Sequence, residues 1–219
     1  MKQQKPEKRK RSVRVEQKYE RARQEILQAA HDILLEGGVE AVTLSSVAGK
    51  LNMTKQALYH YFVSKEALVK NLVTTLLDDE IETLISAVED SGSGADALGK
   101  LIRAFYDHYI SRLDAFRTVY CQSQLYSEPE LGIDEEAIRK EINPRTRHLF
   151  DILEDRISGT SASQSDRRRM RQLAFTAWLS ALGLLTMLGI ADATHDPLIH
   201  SDEDLLDTLS SVFDSAAKK

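Results

Sequence analysis

The chain has 219 residues, 42% hydrophobic and 29% charged, with a formal net charge of -5; that excludes a wholly disordered or fibrous chain and leaves room for one large or two modest folded domains. The charge is split: residues 1–70 hold 14 Lys and Arg against 8 Asp and Glu, and the rest hold 15 against 26, as in a protein that presents one end to a polyanion. The single cysteine, Cys121, excludes an intramolecular disulfide and suits a reducing compartment, so a cytoplasmic location is expected.

In chain order, residues 1–18 are rich in Lys, Arg and Gln with almost nothing to bury, which predicts a disordered basic arm. From about Tyr19 a helical face runs through Ala22, Ile26, Ala29, Ala30, Ile33 and Leu34, and Gly37-Gly38 ends it. Thr43 caps a short second helix whose Leu44, Val47, Ala48 and Leu51 point inward. Asn52-Met53 forms a tight turn, since asparagine tolerates positive φ. Thr54 caps the next helix, with Leu58 and Phe62 inside, and Ser64 caps a longer one facing inward through Leu68, Leu72, Leu76, Ile81, Leu84, Ile85 and Val88. After the break at Ser91–Gly94, helical patterns follow at about 95–127, 135–157, 166–191 and 202–216. No alternating pattern of a strand occurs, so the fold is expected to be all-α. The most apolar run, Ala174 to Ile190, is interrupted by Thr176, Ser180, Thr186 and two glycines, and no membrane span is expected. The charged N-terminus lacks the pattern of a secretory signal.

Two short helices joined by a tight turn make a helix-turn-helix, whose second helix enters the major groove of double-stranded DNA. Such a motif needs a small residue where the helices cross, here Ala48, and an apolar residue to close the turn, here Met53. The second helix shows Lys55, Gln56, Tyr59 and His60 outward. Lys reaches guanine acceptors, Gln pairs with adenine, and a Tyr hydroxyl reaches phosphate.

The run from Thr43 to Leu68, above all Ala-Leu-Tyr-His-Tyr-Phe followed by Ser-Lys-Glu-Ala-Leu, resembles the DNA-binding domain of TetR-family transcriptional regulators. Asn52 stands where the family usually has glycine, and Gly49 lies inside the short helix. The resemblance implies phosphate contacts from Thr43, Thr54, Tyr59 and Lys65, and base-edge contacts from Lys55, Gln56 and His60. Lys65 has a physical warrant too, because a cation at a helix start opposes the dipole and a nearby phosphate would explain it. The arm, with Lys2, Lys5, Lys8, Arg9, Lys10, Arg11 and Arg14, either follows the DNA backbone or serves as a solubility tail.

The expected layout is a basic arm at 1–18, a three-helix DNA-binding domain at 19–66 and a helical ligand-binding and dimerisation domain at 67–219. In the latter, the segment Phe105, Tyr106, Tyr109, Phe116, Tyr120, Cys121, Gln124 and Tyr126 either lines a cavity or forms plain core, and Phe105, Tyr106, Tyr109, Tyr120, Gln124 and Trp178 are the six candidate ligand residues. The resemblance implies an effector pocket there. Arg167, Arg168, Arg169 and Arg171 either grip an anionic effector or pair with the acidic stretch Glu128–Glu136, and pairing is favoured. Ala174, Ala177 and Ala181, continued by Leu184, Leu185 and Leu188, form a stripe on one helix; with Leu209 on the last helix they predict a homodimer interface. Neither a nucleophile arrangement, a phosphate loop nor metal spacing is present, so no enzyme, metal or cofactor is expected. The function that the resemblance implies is sequence-specific regulation of transcription, most often repression, with an unknown small-molecule effector releasing the dimer from a palindromic operator. The alternative is a DNA-bound scaffold that recruits a protein partner without an effector.

Overall fold

Every regular element is helical among the residues described by this computed structural model, which are 13–121, 136, 138–159, 162–194 and 200–218. The helices are α1 (Val13–Ala41), α2 (Leu44–Lys50), α3 (Lys55–Tyr59), α4 (Lys65–Glu89), α5 (Ala97–Ile110), α6 (Leu113–Phe116), α7 (Asn143–Ser158), α8 (Gln164–Thr194) and α9 (Asp202–Ala217). A 3-10 turn at Gly94–Asp96 precedes α5, and π-helical turns at Arg117–Cys121 and Ile138–Ile142 follow α6 and precede α7. The structure is all-α, as the sequence predicts. Residues 13–18 belong to α1 rather than to the arm. The arm's residues 1–12 lie outside the described residues.

The chain divides into two compact units, Met1–Leu72 and Val73–Lys219, and α4 contributes to both. The expected boundary after residue 66 is six residues early, because Leu68, Val69 and Leu72 on the opening turns of α4 are buried and belong with the first unit. In that unit α1 packs on α2 and α2 on α3, around Ile26, Ala30, Leu34, Val47, Leu58 and Phe62. Gly38 breaks the helical path of α1 with φ 72 and ψ 178, a conformation that is essentially glycine's alone. The break lets the chain turn before Thr43 without strain.

In the second unit α5 lies against α8 and α9, and α7 lies against α8. Gly99 is what brings α9 so near: a Cβ there would meet the Asp214 carboxylate at 2.5 Å, and that carboxylate instead accepts from the Gly99 amide at 2.8 Å. The single helical pattern expected over 95–127 is broken at Arg112 (φ -137, ψ 45), which separates α5 from α6.

The expected dimer stripe needs correction. Ala174 and Ala177 are 0% exposed, Ala181 is 1%, and Leu185 and Leu188 are buried as well, all within one chain. Leu184 and Leu209 are half-buried. The small residues let α5 and α7 approach α8 closely, so they serve the protomer's own core. The apolar residues left outside are Phe175, Leu179, Met187 and Ile190 on α8, with Val212 on α9. By length and composition the part of α8 over Gln164–Ala191 is apolar enough to cross a membrane, contrary to expectation. Its alanine face nevertheless lines the core that α5 and α7 complete.

Candidate nucleic-acid interface

Local capping builds the two-helix motif. The Thr43 hydroxyl accepts from the Ser46 amide at 3.0 Å while the Ser46 hydroxyl accepts from the Thr43 amide at 3.0 Å, a reciprocal cap on α2. After Leu51 the chain turns through Asn52, the one non-glycine residue with positive φ (53°) among the described residues. The Met53 amide then donates to the Ala48 carbonyl at 2.9 Å and closes the turn. Thr54 starts α3, its hydroxyl accepting from the Ala57 amide at 3.1 Å. Ser64 does the same for α4 through the Ala67 amide at 3.2 Å.

This geometry buries Leu58 and Phe62 and leaves Lys55, Gln56, Tyr59 and His60 exposed on one short helix, as the sequence predicts. Among the described residues no carboxylate lies within 4 Å of the Lys55 ammonium, so its charge is available to a polyanion. Thr43 and Thr54 are engaged as caps, and a phosphate would share hydroxyls that already hold the helix starts. Lys65 differs from expectation: it pairs with Glu40 at 3.4 Å, so the end of α1 compensates its charge without a phosphate.

Sequence reasoning missed the bracing of this helix. Tyr19 stacks on Tyr61 with ring centroids 4.9 Å apart, and its hydroxyl donates to the His60 carbonyl at 3.3 Å. Arg23 lies 4.8 Å over the Phe62 ring and donates to Asn71 Oδ1 at 2.5 Å. Both residues sit on the exposed stretch of α1, where the sequence offers only a polar helix face. Lys50, at the end of α2, pairs with Glu36 and Asp32 of α1; the Glu36 hydrogen bond pushes the Lys50 ammonium up.

The aromatic residues of the second unit form a close-packed cluster. Phe105, Tyr109, Phe116, Tyr120 and Trp178 contact one another, mostly edge to face, and Phe105 and Tyr109 are fully buried. At its centre sits Glu80 of α4, a residue the sequence did not single out. Its carboxylate is 2% exposed and accepts from Tyr109 at 2.5 Å, from Tyr120 at 2.7 Å and from the Trp178 indole. Burial pushes this carboxyl up to about 7 against the opposing hydrogen bonds. Four of the six proposed ligand residues, Phe105, Tyr109, Tyr120 and Trp178, thus meet. Tyr106 does not join them: its hydroxyl donates to Asp202 of α9 at 2.6 Å. Gln124 lies outside the described residues.

Two of the arginines at the start of α8 pair with α7, and residues 128–135 of the acidic stretch expected to hold them lie outside the described residues. Arg167 meets Asp155 and Glu154, and Arg171 meets Asp151 and Glu154. Burial pushes the Cys121 thiol up, the opposite of activation.

Residues 26–72 match the model of a family described as bacterial regulatory proteins, tetR family. The chain is 21% identical over 155 residues, which are 71% of it and 67% of the relative, to the HTH-type transcriptional activator FasR of Mycolicibacterium smegmatis. Its fold is similar to that of a TetR/AcrR-family regulator from Thermobifida fusca, with a TM-score of 0.62, 20% identity, and coverage of 89% of this chain and 97% of that one. It is similar also to FadR of Bacillus subtilis solved with stearoyl-CoA, with a TM-score of 0.58, 16% identity, and coverage of 89% and 96%.

Proposed function

Because the chain belongs to the tetR family of bacterial regulatory proteins and is a DNA-binding regulator of transcription, we propose that it is a dimeric repressor released from a palindromic operator by a small-molecule effector. The observation that carries this reading is α3, capped by Thr54, anchored by Leu58 and presenting Lys55, Gln56, Tyr59 and His60 together. In this reading Lys55, Gln56 and His60 touch base edges. Tyr59 and Lys65 touch phosphate, Lys65 by exchanging Glu40 for it, and Thr43 and Thr54 contact phosphate from the helix starts they cap.

Two copies are needed to place two such helices in successive major grooves. The face we assign to the second copy is the exposed one on α8 and α9: Leu179, Met187, Ile190 and Val212. No charged residue occurs from Gln172 to Ala191, in a chain that is 29% charged, which suits burial against an identical surface. A small-molecule effector is supported by stearoyl-CoA bound to the similar fold of Bacillus subtilis FadR, and the Glu80 cluster joins α4, α5 and α8, the connections a conformational signal would use.

Selection of bound sequences from a random duplex pool, followed by transcription from a promoter carrying the selected site, tests the reading. A two-fold symmetric site and reduced transcript support it. An asymmetric single half-site overturns the dimer, and increased transcript makes the protein an activator, as FasR is named.

A further inference from the structure

The second unit is acidic as a whole, yet seven of the fifteen Lys and Arg beyond residue 70 lie on α7 and the first turns of α8: Arg145, Arg147, Arg156, Arg167, Arg168, Arg169 and Arg171. A groove of about 730 Å³ runs between these two helices, lined by Asn143, Thr146, Arg147 and Phe150 on one side and by Arg168, Arg171, Gln172, Phe175 and Thr176 on the other. Among the described residues no carboxylate lines it. The volume falls in the range of about 300–1,000 Å³ typical of small-molecule sites.

The guanidinium groups at the groove are not equivalent. Arg171 is held by Asp151 and Glu154. Among the described residues no acid lies within 4 Å of Arg147 or Arg168. Arg168 is the fifth residue of α8, near the positive end of the helix dipole, which its charge does not oppose. An oxyanion between the two arginines would relieve both. The groove also has an apolar floor: Phe150 is 5% exposed and Phe175 46%, with ring centroids 5.6 Å apart, and Phe175 continues to Trp178 at 5.6 Å. Guanidinium forks beside an aromatic surface select a ligand with an anionic head and an apolar body. An inorganic anion would leave the rings wet, and a neutral lipid would leave the arginines without a partner.

We infer that the α7–α8 groove binds a small anionic amphiphile, a carboxylate or phosphate monoester on an apolar body, with Arg147 and Arg168 on the oxyanion and Phe150 and Phe175 under the body. The inference concerns occupancy of this groove and stands whether or not the occupant releases DNA.

Trp178 is the only tryptophan in the chain, and its ring touches both floor phenylalanines, so its emission reports on the groove. The full chain, without DNA, is titrated below micelle formation with decanoate, decyl phosphate, decanol and inorganic phosphate. Decanoate or decyl phosphate gives a saturable change, and whichever binds tighter identifies the head group. Decanol and inorganic phosphate bind at least about tenfold more weakly, the scale of one charge-assisted hydrogen bond or of the lost apolar area. Arg147→Ala combined with Arg168→Ala weakens the anionic ligands at least about tenfold. Its thermal unfolding is unchanged, because neither residue has an ion pair among the described residues to lose. No saturable response to either anionic amphiphile, equal binding of decanol, or undiminished binding by the double variant would each overturn the site. Because no DNA is present, none of these results bears on operator release.

Discussion

Asn52 is the sharpest case at the scale of single residues, since its φ of 53° is one that most side chains resist. Asn52→Gly should therefore be neutral or stabilising, whereas Asn52→Val should cost about 1–2 kcal/mol in urea unfolding, a β-branched residue being strained there. Removing a cap has a similar scale: Thr43→Ala loses the reciprocal bond with Ser46 and should cost about 1 kcal/mol. Glu80 makes a prediction in pH. Its carboxyl is raised to about 7 in the folded chain from an ordinary 4.5, so the protonated form is favoured by folding. The stability this confers is complete below pH 4.5 and is lost as pH rises to 7, by about 3 kcal/mol in the limit. Glu80→Gln keeps the shape and cannot ionise. The stability of wild type relative to this variant, followed by chemical denaturation from pH 4.5 to 7, should fall by that order. His108 acts in the opposite direction, its imidazole lowered to about 4 by burial and by Arg112, but it is common to both proteins and cancels from the difference. A flat difference would mean that the Tyr109, Tyr120 and Trp178 bonds hold Glu80 ionised throughout.

Elements differ in how far the sequence announced them. The caps Thr43, Thr54 and Ser64 and the turn at Asn52 are local signals, each satisfied within three or four residues, so the helix-turn-helix was legible and its outward residues were too. The inward face of α8 was legible as apolar but misassigned, because that helix carries apolar residues almost all round and only its neighbours decide which side is core. Glu80 was invisible for the same reason: a glutamate on a helix face reads as solvated unless the aromatic partners, 29 to 98 residues away in sequence, are known to converge on it. The corrected face changes the test of assembly. Ala181→Arg would place a charge in the protomer's own core, at a site 1% exposed, and should unfold the chain. Leu179, 45% exposed, is the position to change. Leu179→Arg should give a folded monomer by light scattering and circular dichroism; a folded dimer would place the interface elsewhere. At the other end of the chain, Gly38→Ala should cost about 1–3 kcal/mol, the strain of a side chain at φ 72, ψ 178.

On the scale of the whole molecule, a basic first third and an acidic remainder set a surface suited to a polyanion apart from the body to which the proposed function gives assembly and effector binding. Sequence-independent attraction should come from the charge of the first third and weaken with salt, while discrimination among sequences should come from α3 alone. The two contributions separate in one experiment at fixed salt. Fluorescence anisotropy compares wild type, Lys55→Ala and Gln56→Ala on a selected operator and on a scrambled duplex of equal length. Each variant should lose about 1–3 kcal/mol on the operator, roughly 5- to 150-fold in affinity, and change much less on the scrambled duplex. Equal losses on both duplexes, or none on the operator, would contradict the assignment of α3 as the element that reads DNA sequence.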